Sequence, residues 1–209
     1  LPPSSDFKYT SGQYVNIING KIKRSYSVAN YFDGSGKLQF FIKKYEGGLM
    51  SDYFFHKAEV NDFLRIEGPL GTFFFRESTK ENIIFLGTGT GIAPIKAILE
   101  SLNKNTDKII NKYLWIFNGA RYNDDFIWKP DNIGLENIKY ISVTSREPNN
   151  NVHENGYVQD TVLKKGINLS KSQVYACGSN EMIVAAREKL TSNGLEAHHF
   201  FADAFIQSN

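Results

Sequence analysis

The reading of this chain turns on Phe85-Leu86-Gly87-Thr88-Gly89-Thr90-Gly91-Ile92-Ala93-Pro94. An apolar run from Asn82 to Leu86 leads into it, and a helical pattern continues through Leu102. A continuous apolar strand followed at once by a helix is the unit of a parallel sheet covered on both faces. The glycines let the backbone approach a pyrophosphate, and the helix start offers unpaired N–H groups and a favourable dipole. The spacing departs from the G-x-G-x-x-G pattern: the third glycine falls one residue early, and Pro94 stands where that helix would begin. A tight strand-to-helix turn without ligand is the alternative.

Beyond this turn, apolar runs recur at Tyr113 to Phe117, Ile138 to Val143, Val174 to Cys177 and His199 to Phe201. Helical patterns separate most of them, including Asn180 to Leu190, so a doubly wound parallel α/β sheet is expected. Upstream the pattern changes to short strands: Tyr14 to Ile18, Ser25 to Ala29, Leu38 to Lys44 and Phe63 to Glu67. Asp33-Gly34-Ser35-Gly36 reads as a hairpin-like turn, and Gly47-Gly48 opens a short helix. These features predict a small antiparallel barrel. The expected division is 1–78 and 79–209, with the charged link Arg76 to Lys80 at the boundary. Asn149-Asn150-Asn151 reads as a polar loop.

The 209 residues carry 24 basic and 22 acidic side chains, a net charge of +2, which argues against nucleic acid or a membrane surface as partner. No apolar run approaches the ~20 residues that span a bilayer. The start, Leu1-Pro2-Pro3-Ser4-Ser5, lacks both the pattern of a signal peptide and an initiator Met, so a processed or truncated product is expected. The single cysteine, Cys177, excludes an internal disulfide and a four-cysteine iron–sulfur cluster built from this chain alone. A reducing, cytoplasmic setting and a monomer are the expectations.

Several positions bear chemistry. Arg24 and Tyr26 alternate along a strand, so a cation and a flat ring share one side, suiting a ligand with a phosphate end and an aromatic end. Gly47-Gly48-Leu49-Met50-Ser51 is a second possible anion site, or a plain turn with an N-cap. Cys177-Gly178-Ser179-Asn180-Glu181-Met182 follows a strand, where ligands bind in open α/β sheets. Ser145-Arg146 ends another strand, and a guanidinium fork matches phosphate. His56, His153, His198 and His199 show no metal spacing; the adjacent pair should face opposite sides of a strand, and all four read as structural. No metal site and no G-x-S-x-G elbow is expected.

Arg24-Ser25-Tyr26-Ser27, Gly48-Leu49-Met50-Ser51, Gly68-Pro69-Leu70-Gly71-Thr72-Phe73, Thr88-Gly89-Thr90-Gly91-Ile92-Ala93-Pro94 and Cys177-Gly178-Ser179, in this order, resemble the ferredoxin–NADP⁺ reductase superfamily. That family pairs an FAD-binding antiparallel barrel with an NAD(P)-binding α/β domain. With Ser11-Gly12-Gln13-Tyr14 and the C-terminal His199-Phe200-Phe201-Ala202-Asp203-Ala204-Phe205, the likeness extends to the CDP-6-deoxy-glucoseen reductases of dideoxy-sugar (O-antigen) synthesis and to NAD(P)H-flavin reductases. The resemblance implies that Arg24 meets the flavin pyrophosphate, Tyr26 stacks on the isoalloxazine and Ser27 bonds flavin N5. Ser25, Phe41-Ile42-Lys43 and Gly48 to Ser51 would complete the FAD site. Thr90, Gly91, Arg121, Ser145, Arg146, Gly178 and Met182 would belong to the NADH or NADPH site. Cys177 would sit beside the nicotinamide, and Phe205 would cover the flavin face that the nicotinamide must reach. Ser27 and Cys177 are the candidate catalytic residues.

The family's barrel begins with strands that precede Leu1, and its glucoseen reductases carry an N-terminal [2Fe–2S] domain. The expectation is therefore an N-terminally incomplete FAD barrel, with any cluster lying on a missing domain. The implied activity is hydride transfer from NAD(P)H to FAD, with electrons passed to an iron–sulfur protein. An NAD(P)H-flavin or ferric reductase, an oxygenase reductase component, and a non-catalytic FAD-binding module are the alternatives.

Overall fold

The computed structural model describes residues 6–147 and 153–205. The polar loop at Asn149-Asn150-Asn151 lies outside the described residues. The first part is an antiparallel sheet of β1 (Tyr14–Asn19), β2 (Ile22–Ser27) and, after helix α1 (Leu49–His56), β3 (Arg65–Leu70), ordered β2-β1-β3. Val15 and Ile17 of β1 point inward with Val28 and Met50 into a core under α1. β2 starts three residues before the expected strand and ends at Ser27, placing Tyr26 opposite Val15 and Arg24 opposite Ile17.

The expected strand at Leu38 to Lys44 does not form. Only Phe40 makes a bridge, to Val28. The Asn30 side chain explains the interruption: its Nδ2 donates to the Lys37 carbonyl at 3.1 Å, and its Oδ1 accepts the Gln39 N–H at 2.8 Å. A side-chain amide thus stands in for the strand that would continue the ladder. The turn before it is held by the Asp33 carboxylate, which accepts the Ser35 N–H at 2.9 Å.

The second part is a six-stranded, wholly parallel sheet. Its strands are β4 (Asn82–Thr88), β5 (Tyr113–Ala120), β6 (Ile138–Thr144), the short β7 (Glu154–Asn155), β8 (Ser172–Ser179) and β9 (Phe200–Phe205), in the order β7-β6-β5-β4-β8-β9. Helix α2 (Ile92–Lys104) follows β4, α3 (Val158–Lys164) follows β7 and α4 (Asn180–Thr191) follows β8. The apolar run of β4 is continuous because both its faces are covered. Ile84 and Leu86 enter the core that includes Val158 of α3 and Ala186 of α4, while Ile83 and Phe85 enter the core that includes Ile95 and Leu99 of α2.

The chain leaves β4 toward β5 and β6, then returns to lay β8 on the other side of β4. The crevice between the carboxyl ends of β4 and β8 is therefore the topological switch point, where open α/β sheets bind ligands. The segment joining the two sheets packs on the second: Phe73 and Phe75 pack against Tyr175 of β8, whose hydroxyl accepts the Arg76 N–H at 2.7 Å.

Candidate functional site

At the switch point the two glycine turns meet. Gly91, in the 3₁₀ turn between β4 and α2, packs so closely on the end of β8 that an added Cβ would lie 2.1 Å from the Cys177 carbonyl oxygen. Gly178 has φ +151°, and a Cβ there would lie 2.0 Å from Thr88 Oγ1. That hydroxyl also accepts the Ser179 N–H, at 3.3 Å. Only glycine permits these approaches. Ser179 caps α4, its Oγ accepting the Met182 N–H at 3.3 Å. Thr90 is half-buried beside this crevice, whereas Met182 turns into the core.

Cys177 is fully buried in the core that α2 covers, with Phe41 and Phe205 packed against that core. Burial, and then the carboxylate of Asp203, push its thiol well above the ordinary range, so it is a neutral thiol. Asp203 is its register partner on β9, and burial raises that carboxyl too. The sequence reading passed over Asp203. Its signal was available, since it is the one acidic residue inside the strand Phe200-Phe201-Ala202-Asp203-Ala204-Phe205. Phe205 ends β9 opposite Ser179, at the same edge as the two glycine turns.

Arg24 and Tyr26 do share one face of β2, as their alternating burial shows. The Arg24 guanidinium donates to the Lys23 carbonyl at 2.9 Å. The Tyr26 ring is held edge-on against Phe40 (6.3 Å) and Phe54 (5.9 Å), and burial raises its phenol. Ser25 is tied to Asn16 Oδ1 at 2.7 Å. Ser27 points to the opposite face from Tyr26, is buried, and its Oγ has no hydrogen-bond partner among the described residues. A buried hydroxyl without a partner is costly and calls for one. An acceptor or donor on a flavin edge fits it, as the Arg24 cation fits a pyrophosphate.

Other expected site residues are placed differently. The Ser51 hydroxyl is engaged by its own loop: it accepts the Tyr45 N–H at 3.1 Å and lies 3.0 Å and 3.1 Å from the Tyr45 and Gly48 carbonyls. Met50 is buried in the first core, while Leu49 is exposed. What Gly48 to Ser51 offers an anion is thus the amides of the α1 first turn. Phe41 and Ile42 are half-buried, and Lys43 is exposed beside Tyr45. Arg121 and Arg146 are both exposed and adjoin through the Arg146 N–H, which donates to the Arg121 carbonyl at 3.0 Å. Ser145 is anchored likewise to the Ala120 carbonyl at 3.0 Å. Two cations therefore stand at neighbouring strand ends.

His198 and His199 do not lie on opposite faces of a strand. They sit in the 3₁₀ turn Ala197–His199 with ring centroids 4.2 Å apart, and Glu196 lies 3.3 Å and 3.8 Å from their Nε2 atoms. A two-histidine, one-carboxylate group with ligand-like separations thus exists, contrary to the expected spacing. The Lys80 ammonium already holds Glu196 at 2.8 Å and opposes a second cation, so we assign no metal there. His153 is tied instead to Ser142, Nδ1 to Oγ at 2.5 Å.

Two family descriptions match the chain: an oxidoreductase FAD-binding domain over residues 1–75 and an oxidoreductase NAD-binding domain over residues 85–188. The chain is 38% identical to a Yersinia pestis protein named CDP-6-deoxy-L-threo-D-glycero-4-hexulose-3-dehydrase reductase, with all of this chain and 63% of that protein aligned. It is 31% identical to the ferredoxin–NADP reductase B of Sorangium cellulosum, over 87% of this chain and 79% of that one. The crystal structure of the Amycolatopsis cytochrome P450 reductase GcoB has the same fold, with a TM-score of 0.86 at 21% identity over 97% of this chain and 62% of that one. The chain belongs to the ferredoxin–NADP⁺ reductase family, and it spans less than two thirds of the length of the Yersinia reductase.

Proposed function

We propose that this chain is the flavin and nicotinamide part of an NAD(P)H oxidoreductase, with residues 1–78 holding FAD and residues 79–209 holding NADH or NADPH. It would draw a hydride from the nucleotide and pass electrons to an iron–sulfur protein, in the synthesis of deoxygenated sugars of the O-antigen type. The matches to FAD- and NAD-binding oxidoreductase domains support the two cofactors. The name of the Yersinia reductase supports the sugar pathway. An iron–sulfur acceptor is part of the reading, whether on a partner or on another segment of a longer protein. No described helix is long and apolar enough to cross a membrane, and a cytoplasmic monomer remains our reading.

The observation that carries the reading is the unpartnered buried Ser27 hydroxyl, on the strand that also carries Arg24 and Tyr26. Bound FAD would supply a two-electron acceptor that also releases electrons singly. The chain's own residues bind and orient. Arg24 would neutralise the pyrophosphate, Tyr26 would support the ring, and Ser27 would hold a hydrogen bond at N5. Gly91 and Gly178 would let the nucleotide reach the strand ends. Cys177, a neutral thiol, would contribute a weak dipole and an apolar wall that keeps water away. Phe205 would cover the ring until the nicotinamide takes its place. Orientation of this kind contributes up to roughly 7–11 kcal/mol in favourable cases.

The test is direct. The purified protein reconstituted with FAD should turn yellow and be bleached by NADH or NADPH under anaerobic conditions. A yellow protein that neither nucleotide bleaches would instead be a flavin-binding module. Loss of the colour on gel filtration would favour a reductase that takes free flavin as substrate.

A further inference from the structure

Lys96 stands on α2, five residues beyond Gly91, and is buried. Its ammonium leaves the nucleotide half and enters the flavin half. Nζ donates to the Ala29 carbonyl at 2.8 Å, to Gln39 Oε1 at 2.9 Å and to Glu100 Oε1 at 2.5 Å. The other Glu100 oxygen accepts the Tyr31 N–H at 2.9 Å. A buried ammonium is tolerated when all its protons are bonded and its charge is paired, and both conditions hold here.

The positions of the two ends matter more than the ion pair. Ala29 lies two residues beyond Ser27 on the same extended segment, and its N–H is fixed by the Gln39 carbonyl at 2.8 Å. At the other end, Gly91 rests on the Cys177 carbonyl. A short length of helix and one side chain thus link the Gly91–Cys177 crevice to the segment that carries the unpartnered Ser27 hydroxyl. We propose that Lys96 is a positioning residue: it sets the separation between Ser27 and the Gly91–Cys177 crevice, and so the alignment of nicotinamide C4 with flavin N5. This rests on the proposed function.

The test compares wild type with Lys96→Met/Glu100→Gln, which removes the ammonium without leaving a carboxylate unpaired, and with Lys96→Arg. Four quantities are read: FAD affinity, thermal midpoint, the long-wavelength charge-transfer absorbance on mixing with NADH, and the limiting anaerobic rate of flavin bleaching. The double variant should keep FAD affinity within about threefold, while its charge-transfer band weakens and its limiting rate falls at least about tenfold. Lys96→Arg should recover part of both. In the FAD-free protein, amide exchange at Ala29 should quicken in the double variant, because no ammonium then ties the Ala29 carbonyl to the Gln39 side chain. If the double variant does not fold, Lys96→Arg alone decides, with a smaller fall in rate and band and a smaller loss of Ala29 protection than the double variant would show. A variant with wild-type band and rate overturns the proposal. So does one whose rate falls only in step with lost FAD or a lower midpoint, since that marks a structural clasp. Failure of NADH and NADPH to bleach the wild type would instead overturn the proposed function, which this comparison keeps apart.

Discussion

Asp203 and Cys177 face each other in register on neighbouring parallel strands, an acid and a thiol that burial keeps toward their neutral forms. For Asp203 the folded protein binds its proton more tightly than the unfolded chain does. The stability that this proton contributes is present below the ordinary carboxyl value of 3.8 and is lost as pH rises through the raised folded value. Asp203→Asn cannot ionise. It should therefore match wild type in acid and exceed it at neutral pH, compared at equal FAD loading. Denaturation midpoints at pH 3 and pH 7 test this; a variant that is less stable than wild type at pH 7 shows that the ionised carboxylate has a favourable partner.

Arg24 is expected to anchor the flavin. Arg24→Ala should weaken FAD binding by about 1.5–3 kcal/mol, the loss of a charge-assisted hydrogen bond. Fluorescence titration of the FAD-free protein measures it. Unchanged affinity removes Arg24 from the site.

Ser27→Ala separates function from stability. The native hydroxyl is buried without a partner, so its removal should leave the FAD-free protein as stable as before, or more stable by about 1 kcal/mol. Yet the variant should retain FAD and be reduced more slowly by NADH. Equal stopped-flow rates in variant and wild type would leave the hydroxyl with no part in hydride transfer. Cys177→Ala, which opens a small buried space, should also slow reduction but at some cost in stability.

The sequence was most legible where burial leaves a simple pattern. β4 was readable because both its faces are covered, which makes its apolar run unbroken. The Leu38 to Lys44 segment was misread because alternation does not show that Asn30 will bond the Lys37 and Gln39 backbone. That Arg24 and Tyr26 share one face could be read from spacing alone, since β2 keeps its alternation. The loop contacts of the Ser51 hydroxyl could not, because they depend on backbone geometry. Lys96 was hidden for a related reason, because a lysine within a helix ordinarily reads as a solvated position.

Gly91 and Gly89 stand two residues apart and should respond differently. A Cβ at Gly91 would lie 2.1 Å from the Cys177 oxygen and 2.9 Å from the Gly178 nitrogen, and backbone cannot easily yield. At Gly89 the space is open, with φ +55° as the main obstacle. Gly89→Ala should cost about 1–2 kcal/mol. Gly91→Ala should cost more, about 3 kcal/mol, the upper end for overpacking, and should raise the KM for NADH. Equal denaturation midpoints in the two variants would mean that β4 and β8 do not approach as described.

The choice between NADH and NADPH should depend on the strand ends that carry Arg121 and Arg146. A 2′-phosphate carries nearly two negative charges and needs fixed cations. Plant-type NADP⁺ reductases, which the Ser145-Arg146 and Tyr157 spacing resembles, place a second cation two residues before that tyrosine; here the position is Asn155. Asn155 is uncharged, and one of its amide N–H groups already donates to the Glu147 carbonyl, so it supplies no second cation. Arg121 offers a second cation from the neighbouring strand end, where its carbonyl accepts the Arg146 N–H. Both guanidinium groups are exposed, and an exposed ion pair contributes only about 0–1 kcal/mol. Both nucleotides should therefore work, with a preference of less than about tenfold, equivalent to ~1.4 kcal/mol. Arg146→Ala should lower kcat/KM for NADPH and leave that for NADH nearly unchanged. Arg121→Ala should act in the same direction, and the double variant should approach indifference to the phosphate. Measuring kcat/KM for both nucleotides across the four proteins decides the matter. A hundredfold preference in the wild type, or equal loss with both nucleotides in the variants, would show that residues elsewhere set the choice.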